Sequence, residues 1–337
     1  MSAFIKAISY YLPEKIYSNT DFFKAFPATV SQKENYARIG VVERHIVAKN
    51  ETASDLAVKA ALALFKEHKV KPEEIDFLLF CALEFDYMFP ASASIIQAKL
   101  GLPVNAGAMD YSLGCSGFVY GLGMAKGMIE SLGLKNVLLI TSSTLTKNIH
   151  KKDRSSKFVF GDGAAATLIS SGKKNANISS FVFGTDGKMA EKIIIRDGGA
   201  RNPISKTSFV EIENEHGNVT TDANLHMDGA GVFHFGLKTV PAMIKDLLAK
   251  EKLNIEDVDL FIFHQANLFL INSIRTKMKI PEEKVFNYMA GVGNTVAASI
   301  PITLSEAIKS GKAKPGQKIV LAGFGVGLSW AATIIKL

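Results

Sequence analysis

Cys115 stands where a segment ending in Gly114 gives way to apolar residues at helical spacing, Phe118, Leu122, Ala125 and Ile129. That pattern predicts the thiol at the first turn of a helix. Unpaired backbone N–H groups there favour negative charge and can bring a cysteine pKa down from about 8.5 to where the thiolate is a working nucleophile. Gly117, Gly121, Gly123 and Gly127 share the helix, at roughly 1 kcal/mol each relative to alanine. Close packing inside a larger body is expected to offset that cost. The second cysteine, Cys81, closes the apolar run Phe77-Leu-Leu-Phe-Cys81 and reads as core. His264 follows the apolar strand 260–263, so it emerges at a strand end. The six other histidines (His45, His68, His150, His216, His226, His234) follow no buried strand in this way. Asn267 reads as the N-cap of a helix beginning at Leu268, with Gln265 shaping the turn. Gly291-Val-Gly-Asn-Thr295 reads as a glycine turn leading into a helix, carrying Asn294.

The elements that must hold these groups occur in two similar series. Phe4 to Ser9 is strand-like, and Thr52 to Glu67 is a helical stripe capped by Thr52. Pro72 to Phe80 contains the continuous apolar run of a strand covered on both faces. A helix over 92–100, the cysteine segment, a strand over Asn136 to Thr141 and a glycine turn running into strand at Phe158 to Ile169 complete the first series. The second series repeats the order: Asn254 to Phe263, a helix over 268–278, a strand over Gln317 to Leu321, and Gly325 to Ile335. Cys115 and Gly293-Asn294 fall at corresponding places, each beginning the matching helix. A pseudo-twofold would bring those helix starts together at the midline, where ligands of such sheets bind. The chain thus divides into halves 1–172 and 173–337. Residues 173–253 look least regular, with Asn175–Ser180 and Glu211–Asn218 polar enough for loops.

Length and composition bound the reading. With 337 residues, 47% hydrophobic and 21% charged, the chain is a globular α/β protein large enough for two domain-sized units. No apolar run approaches a membrane span and no signal-peptide core opens the chain, so a cytoplasmic protein is expected. Two cysteines cannot build a disulfide framework. The net charge of +7 favours an anionic partner, whether nucleic acid, acidic protein or phosphorylated cofactor. The absence of a dense Lys/Arg tract with interleaved aromatics weighs against nucleic acid.

Gly-Cys-Ser-Gly-Phe at 114–118, Gly-Asp-Gly-Ala at 161–164, His-Gln-Ala-Asn at 264–267, Gly-Asn-Thr at 293–295 with Ala298-Ser-Ile-Pro301, and Gly325-Val-Gly327 with Trp330 occur in one order. Together they resemble the beta-ketoacyl-[acyl-carrier-protein] synthase III family of the thiolase superfamily. Arg38 to His45, Phe89-Pro90 and Asp153-Arg154-Ser155 extend the resemblance nearly end to end. It implies a thiolase-like αβαβα fold of five layers from two duplicated halves, as a homodimer. It also implies that Cys115 is acylated by a thioester, while His264 and Asn294 hold the oxyanion of a decarboxylating malonyl unit. The carbanion then attacks the acyl-cysteine. Backbone N–H groups of Cys115 and Gly327 would form a second oxyanion hole. Arg38, Arg154, His234, Asn267 and Phe269 fall where the family meets coenzyme A or acyl carrier protein, and Phe89 where it reaches the partner's acyl pocket. No metal and no permanently bound cofactor are implied; coenzyme A and carrier-protein thioesters are substrates.

Some positions depart from the family pattern. Phe269 replaces an arginine that meets the carrier protein, Glu34 replaces a tryptophan that stacks on the coenzyme A adenine, and His234 replaces a lysine. Val326 replaces the middle glycine of the 325–327 turn. The catalytic centre is kept while the donor surface changes, which implies a specialised relative, including one that passes its acyl group to a hydroxyl or amine. Hydroxymethylglutaryl-coenzyme A synthases use a glutamate base near position 84. Here Leu83 is in register and Glu84 falls one residue off, so strand alternation predicts that Glu84 points away. An inactive dimer partner would lack a catalytic residue, and Cys115, His264 and Asn294 are all present.

Overall fold

The computed structural model describes residues 2–172, 177–215 and 217–337. Two mixed sheets form its frame. The first runs in the order Ser2–Tyr11, Gly163–Gly172, Asn136–Ser143, Phe77–Ala82, Gly107–Ser112. Its last three strands are parallel to one another, and the first two join by antiparallel pairing. The second sheet repeats this order with Asn177–Thr185, Ser329–Lys336, Lys318–Gly325 and Leu260–Phe263. Its fifth position is reduced to one parallel bridge between Phe261 and Val285.

Burial explains the layering. Helices Gly117–Leu132 and Ser299–Lys309 lie between the sheets, where Leu122, Ile129, Ile300 and Leu304 pack with Leu79 and Val137 of one sheet and Ile262 and Leu321 of the other. Helices Ala53–His68 and Ser92–Lys99 cover the outer face of the first sheet, through Leu56, Leu64 and Ile96 against Leu78, Phe80 and Leu138. Helices Gly229–Glu251 and Leu268–Met278 cover the second, through Ile244, Leu270 and Ile274 against Phe261, Phe263 and Val320. The result is the five-layered αβαβα arrangement that the motifs imply. The Thr52 cap forms as expected: its hydroxyl accepts from the Asp55 N–H, and the Asp55 carboxylate accepts from the Thr52 N–H at 3.1 Å.

The glycines of the central helix serve close approach at most of their positions. A Cβ at Gly121 would sit 2.2 Å from the Tyr111 hydroxyl, and one at Gly117 would sit 2.4 Å from Cys81 Sγ. Gly127 departs from the expectation, having open space where its side chain would be.

Other elements correct the sequence reading. Of the segment expected as loop over Asn175–Ser180, Asn177–Ser180 belong to the nine-residue strand Asn177–Thr185, while Asn175 lies outside the described residues, as does His216. That strand closes the edge of the second sheet against Ser329–Lys336, so pairing overrides its polar composition. Far from being irregular, the stretch before 253 contains the 23-residue helix Gly229–Glu251. Phe158 and Val159 end the short helix Arg154–Val159 instead of starting a strand.

Candidate active site

Cys115 precedes the helix instead of lying within its first turn: Ser116 is the N-cap and Gly117 the first helical residue. The sulfur is packed against the strand of the other half. A Cβ at Gly325 would come within 2.6 Å of Cys115 Sγ, and one at Gly323 within 2.8 Å of the Cys115 carbonyl oxygen. Bare backbone is therefore required on the strand Lys318–Gly325. The amides that face the sulfur are those of Cys115 itself and Val326, which favour the thiolate. Gly327, at φ +135°, supplies the turn that only glycine readily adopts. Burial outweighs both amides and pushes the thiol up to about 12, opposite to the lowering expected from a helix start.

His264 emerges from the strand Leu260–Phe263 and is buried, with its N–H donating to the Ala322 carbonyl at 2.8 Å. Its ring Nδ1 lies 2.7 Å from the Ser299 hydroxyl. That hydroxyl also accepts from the Gln265 N–H at 3.4 Å; we assign it as the donor to Nδ1, the tautomer with the ring proton on Nε2. Burial holds the imidazole neutral, lowering its pKa to about 3 despite the opposing Val296 backbone. His264 is therefore a neutral N–H donor across the physiological range.

Asn294 is clamped by both halves. Its N–H donates to the Val159 carbonyl at 2.9 Å, and its carbonyl accepts from the Gly161 N–H at 3.1 Å. The side-chain oxygen accepts from the Val296 N–H at 2.9 Å, which fixes the amide so that its NH₂ is the outward donor; that group has only a long 3.5 Å contact to the Ala266 carbonyl. Val296 makes this possible at φ +52°, an uncommon conformation for a β-branched residue. A short 3-10 turn, Val296–Ala298, then separates Asn294 from the helix that it was expected to begin.

Val296 joins the parts, because it also lines a cavity of about 290 Å³ with Cys115, Val326, Leu145, Phe160, Leu225 and the run Ile193–Ile195. The cavity is apolar except for Glu84 and Asn148. The prediction that Glu84 points away fails. The strand ends at Ala82, so alternation no longer governs residue 84, and Glu84 lines the cavity beside Leu83.

The expected binding residues fall on the neighbouring surface. Arg154 lines a cavity of about 310 Å³ with Tyr36, Ile39, Ser155 and Asn218. Arg38 lines an adjacent groove with Phe269, Asn272 and Lys277. Phe269 is 50% exposed and stacks on Phe233 at 5.2 Å between ring centroids. His234 is exposed beside that stack, on the helix Gly229–Glu251. Asn267 serves as the predicted cap, its side-chain oxygen accepting from the Leu270 N–H at 2.8 Å. Gln265 braces the turn through the Phe263 carbonyl and the Tyr288 N–H. Phe89 is 80% exposed and beside it Met88 is more so, which excludes a buried core cluster. Sequence reasoning missed Tyr36, Ser299, Val296 and the isoleucine wall of the cavity. A hydroxyl at the start of the second central helix was the available signal for Ser299.

Family models agree with this architecture: 3-oxoacyl-[acyl-carrier-protein] synthase III matches residues 109–187, and the C-terminal model of the same synthase matches 248–337. The beta-ketoacyl-[acyl-carrier-protein] synthase III of Fusobacterium nucleatum is 35% identical over 98% of both chains. That of Caldanaerobacter subterraneus is 37% identical over 97% of this chain and 95% of its own. The chain belongs to the beta-ketoacyl-[acyl-carrier-protein] synthase III family. A crystal structure of a 3-oxoacyl-(acyl-carrier-protein) synthase III superposes over 100% of both chains with a TM-score of 0.97 at 41% identity. The priming beta-ketosynthase of the R1128 polyketide pathway superposes over 100% of this chain and 96% of its own, with a TM-score of 0.86 at 28% identity. The fold is thiolase-like, and the enzyme is an acyltransferase of the synthase III type. Among the described residues no helix is long and apolar enough to cross a membrane.

Proposed function

We propose that Cys115 accepts an acyl group from a thioester and that His264 and Asn294 then serve a decarboxylative condensation with a malonyl thioester. Cys115 sulfur attacks the thioester carbonyl, the thiol proton is lost, and the departing thiolate is protonated as it leaves. Backbone N–H groups of Cys115 and Gly327 would hold the tetrahedral oxyanion, as the family motif implies. Carbon dioxide then leaves the malonyl unit, and its enolate oxygen is held by His264 Nε2–H and the Asn294 NH₂. Two neutral donors suit that oxygen because they stabilise charge without surrendering a proton. The enolate carbon attacks the acyl-cysteine carbonyl, the C–S bond breaks, and a beta-ketoacyl thioester is released.

The observation that carries this reading is the convergence, around Val296, of a buried thiol at an apolar cavity with a neutral imidazole and an oriented amide. Coenzyme A or acyl carrier protein would deliver the thioesters past Arg38 and Arg154, with Tyr36 as the aromatic surface in place of the missing tryptophan. Halves 1–172 and 173–337 each supply part of the site. The exposed Tyr87-Met88-Phe89 segment would enter a second copy in a cytoplasmic homodimer. Intact-protein mass spectrometry after incubation with acyl-coenzyme A tests the roles. Cys115→Ala should carry no adduct, while His264→Ala and Asn294→Ala should keep the adduct and lose carbon dioxide release. Loss of the acyl-enzyme in Asn294→Ala would overturn the assignment.

A further inference from the structure

Among the described residues, Glu84 is the one carboxyl whose two oxygens are both buried without a hydrogen-bond partner. Two carboxyls elsewhere, one buried and one half-buried, are well served. Asp162 accepts from the Val47 N–H and from the N–H and hydroxyl of Thr146, and Asp110 accepts from the Ser92 and Ala93 N–H groups at 2.6 Å each. Both hold backbone in place. Glu84 is faced only by the backbone of Thr144, Leu83 and Glu84 itself, none within good hydrogen-bond geometry, and it lines the cavity of Cys115, whose walls are otherwise apolar apart from Asn148. Burial pushes its pKa up to about 7, helped by the Asp162 charge and opposed in part by the backbone of Thr144, Glu84 and Leu83. Leaving such a group unpaired costs more than a well-made hydrogen bond returns, so the site is incomplete without a polar partner.

We infer that Glu84 determines acyl specificity, selecting an acyl group that carries a hydroxyl along its chain over the plain alkyl chain of equal length. The inference rests on the reading of Cys115 as the acyl acceptor. A plain chain would fill the apolar wall and leave both Glu84 oxygens unpaired. A hydroxyl donates to Glu84 whether the carboxyl is ionised or protonated, so it fits on either side of neutrality. An ammonium group would have to bring a second charge into the cavity, and an acyl carboxylate would meet like charge.

The test uses the wild-type protein with straight-chain acyl-coenzyme A thioesters from butanoyl to decanoyl, each in competition with its monohydroxylated isomers. Loading of Cys115 is read by intact mass. At least one hydroxyacyl isomer should outcompete its alkyl counterpart by about tenfold, the scale of a hydrogen bond to a charged group. Glu84→Leu should invert that preference and Glu84→Gln should narrow it. The inference is overturned if no hydroxyacyl chain is preferred by wild type, a result that stands even if Glu84→Leu does not fold. It is also overturned if Glu84→Gln keeps the loading preference but abolishes condensation, which would make Glu84 a base. Failure of Cys115 to load from any thioester would instead sink the proposed function itself.

Discussion

Ser299→Ala removes the group 2.7 Å from His264 Nδ1 while leaving Cys115, Val326 and Asn294 untouched. The imidazole is buried and neutral, so Nδ1 would become an unpaired acceptor in a dry environment. Its remedy is to take the proton itself, which turns Nε2 from donor to acceptor and sets a lone pair against the enolate oxygen. Leaving a buried acceptor unpaired costs roughly 1–3 kcal/mol, which corresponds to a five- to 150-fold slower decarboxylation. Loading of Cys115 does not draw on the His264 ring proton and should be unchanged. A single-turnover assay separates the steps: acyl-Cys115 formation by intact mass, then labelled carbon dioxide release on adding a malonyl thioester. Ser299→Thr keeps the hydroxyl and should restore most of the second step. Decarboxylation at the wild-type rate in Ser299→Ala, or parallel loss of loading, would refute the tautomer argument.

Gly325→Ala should block acylation while the protein stays folded, because the added methyl meets Cys115 Sγ at 2.6 Å; a normal mass adduct would show that the strand yields. With the thiol pushed up to about 12, the thiolate fraction of the free enzyme grows with pH throughout the neutral range, so iodoacetamide alkylation of Cys115 without substrate should climb from pH 6 to pH 9 by about tenfold per unit; a plateau near neutrality would contradict it. Phe269→Arg should raise kcat/KM for carrier-linked over coenzyme A-linked malonyl by about tenfold, on the scale of a charge-assisted contact. An unchanged ratio would remove Phe269 from the recognition surface. Sedimentation at micromolar concentration should show a dimer for wild type and monomer for Phe89→Asp; a monomeric wild type would count against the exposed Tyr87-Met88-Phe89 segment as an interface.

The sequence disclosed the groups whose roles depend on local order: Cys115 before a helix, His264 at a strand end, Asn267 as a cap, and paired series of strands and helices. It was poor where the partner comes from far along the chain. Ser299 lies 35 residues after His264, and nothing local marks their contact. The strand Asn177–Thr185 is held by pairing with Ser329–Lys336, so its polar start reads as loop until the sheet is formed. Glu84 was misjudged because alternation was carried two residues beyond the end of its strand at Ala82.

The pKa of Cys115 shows which physical effect governs the resting site. A helix start contributes about 0.3–1 kcal/mol to a nearby charge, less than one pKa unit. Raising the thiol from 9.0 to about 12 corresponds to roughly 4 kcal/mol against the anion, so desolvation wins severalfold over the dipole. The same burial keeps His264 neutral, and a neutral imidazole cannot form a stable thiolate–imidazolium pair with Cys115. Activation must therefore come with the substrate. When a thioester carbonyl enters, negative charge passes from sulfur to carbonyl oxygen as the C–S bond forms, beside the amides of Cys115 and Val326 that face the sulfur. A site that withholds charge from its nucleophile until the acyl donor arrives is protected from adventitious oxidation or alkylation, which require free thiolate. The burial that defeats the helix-start expectation is thus compatible with catalysis, because the charge to be stabilised is the one that develops during acyl transfer.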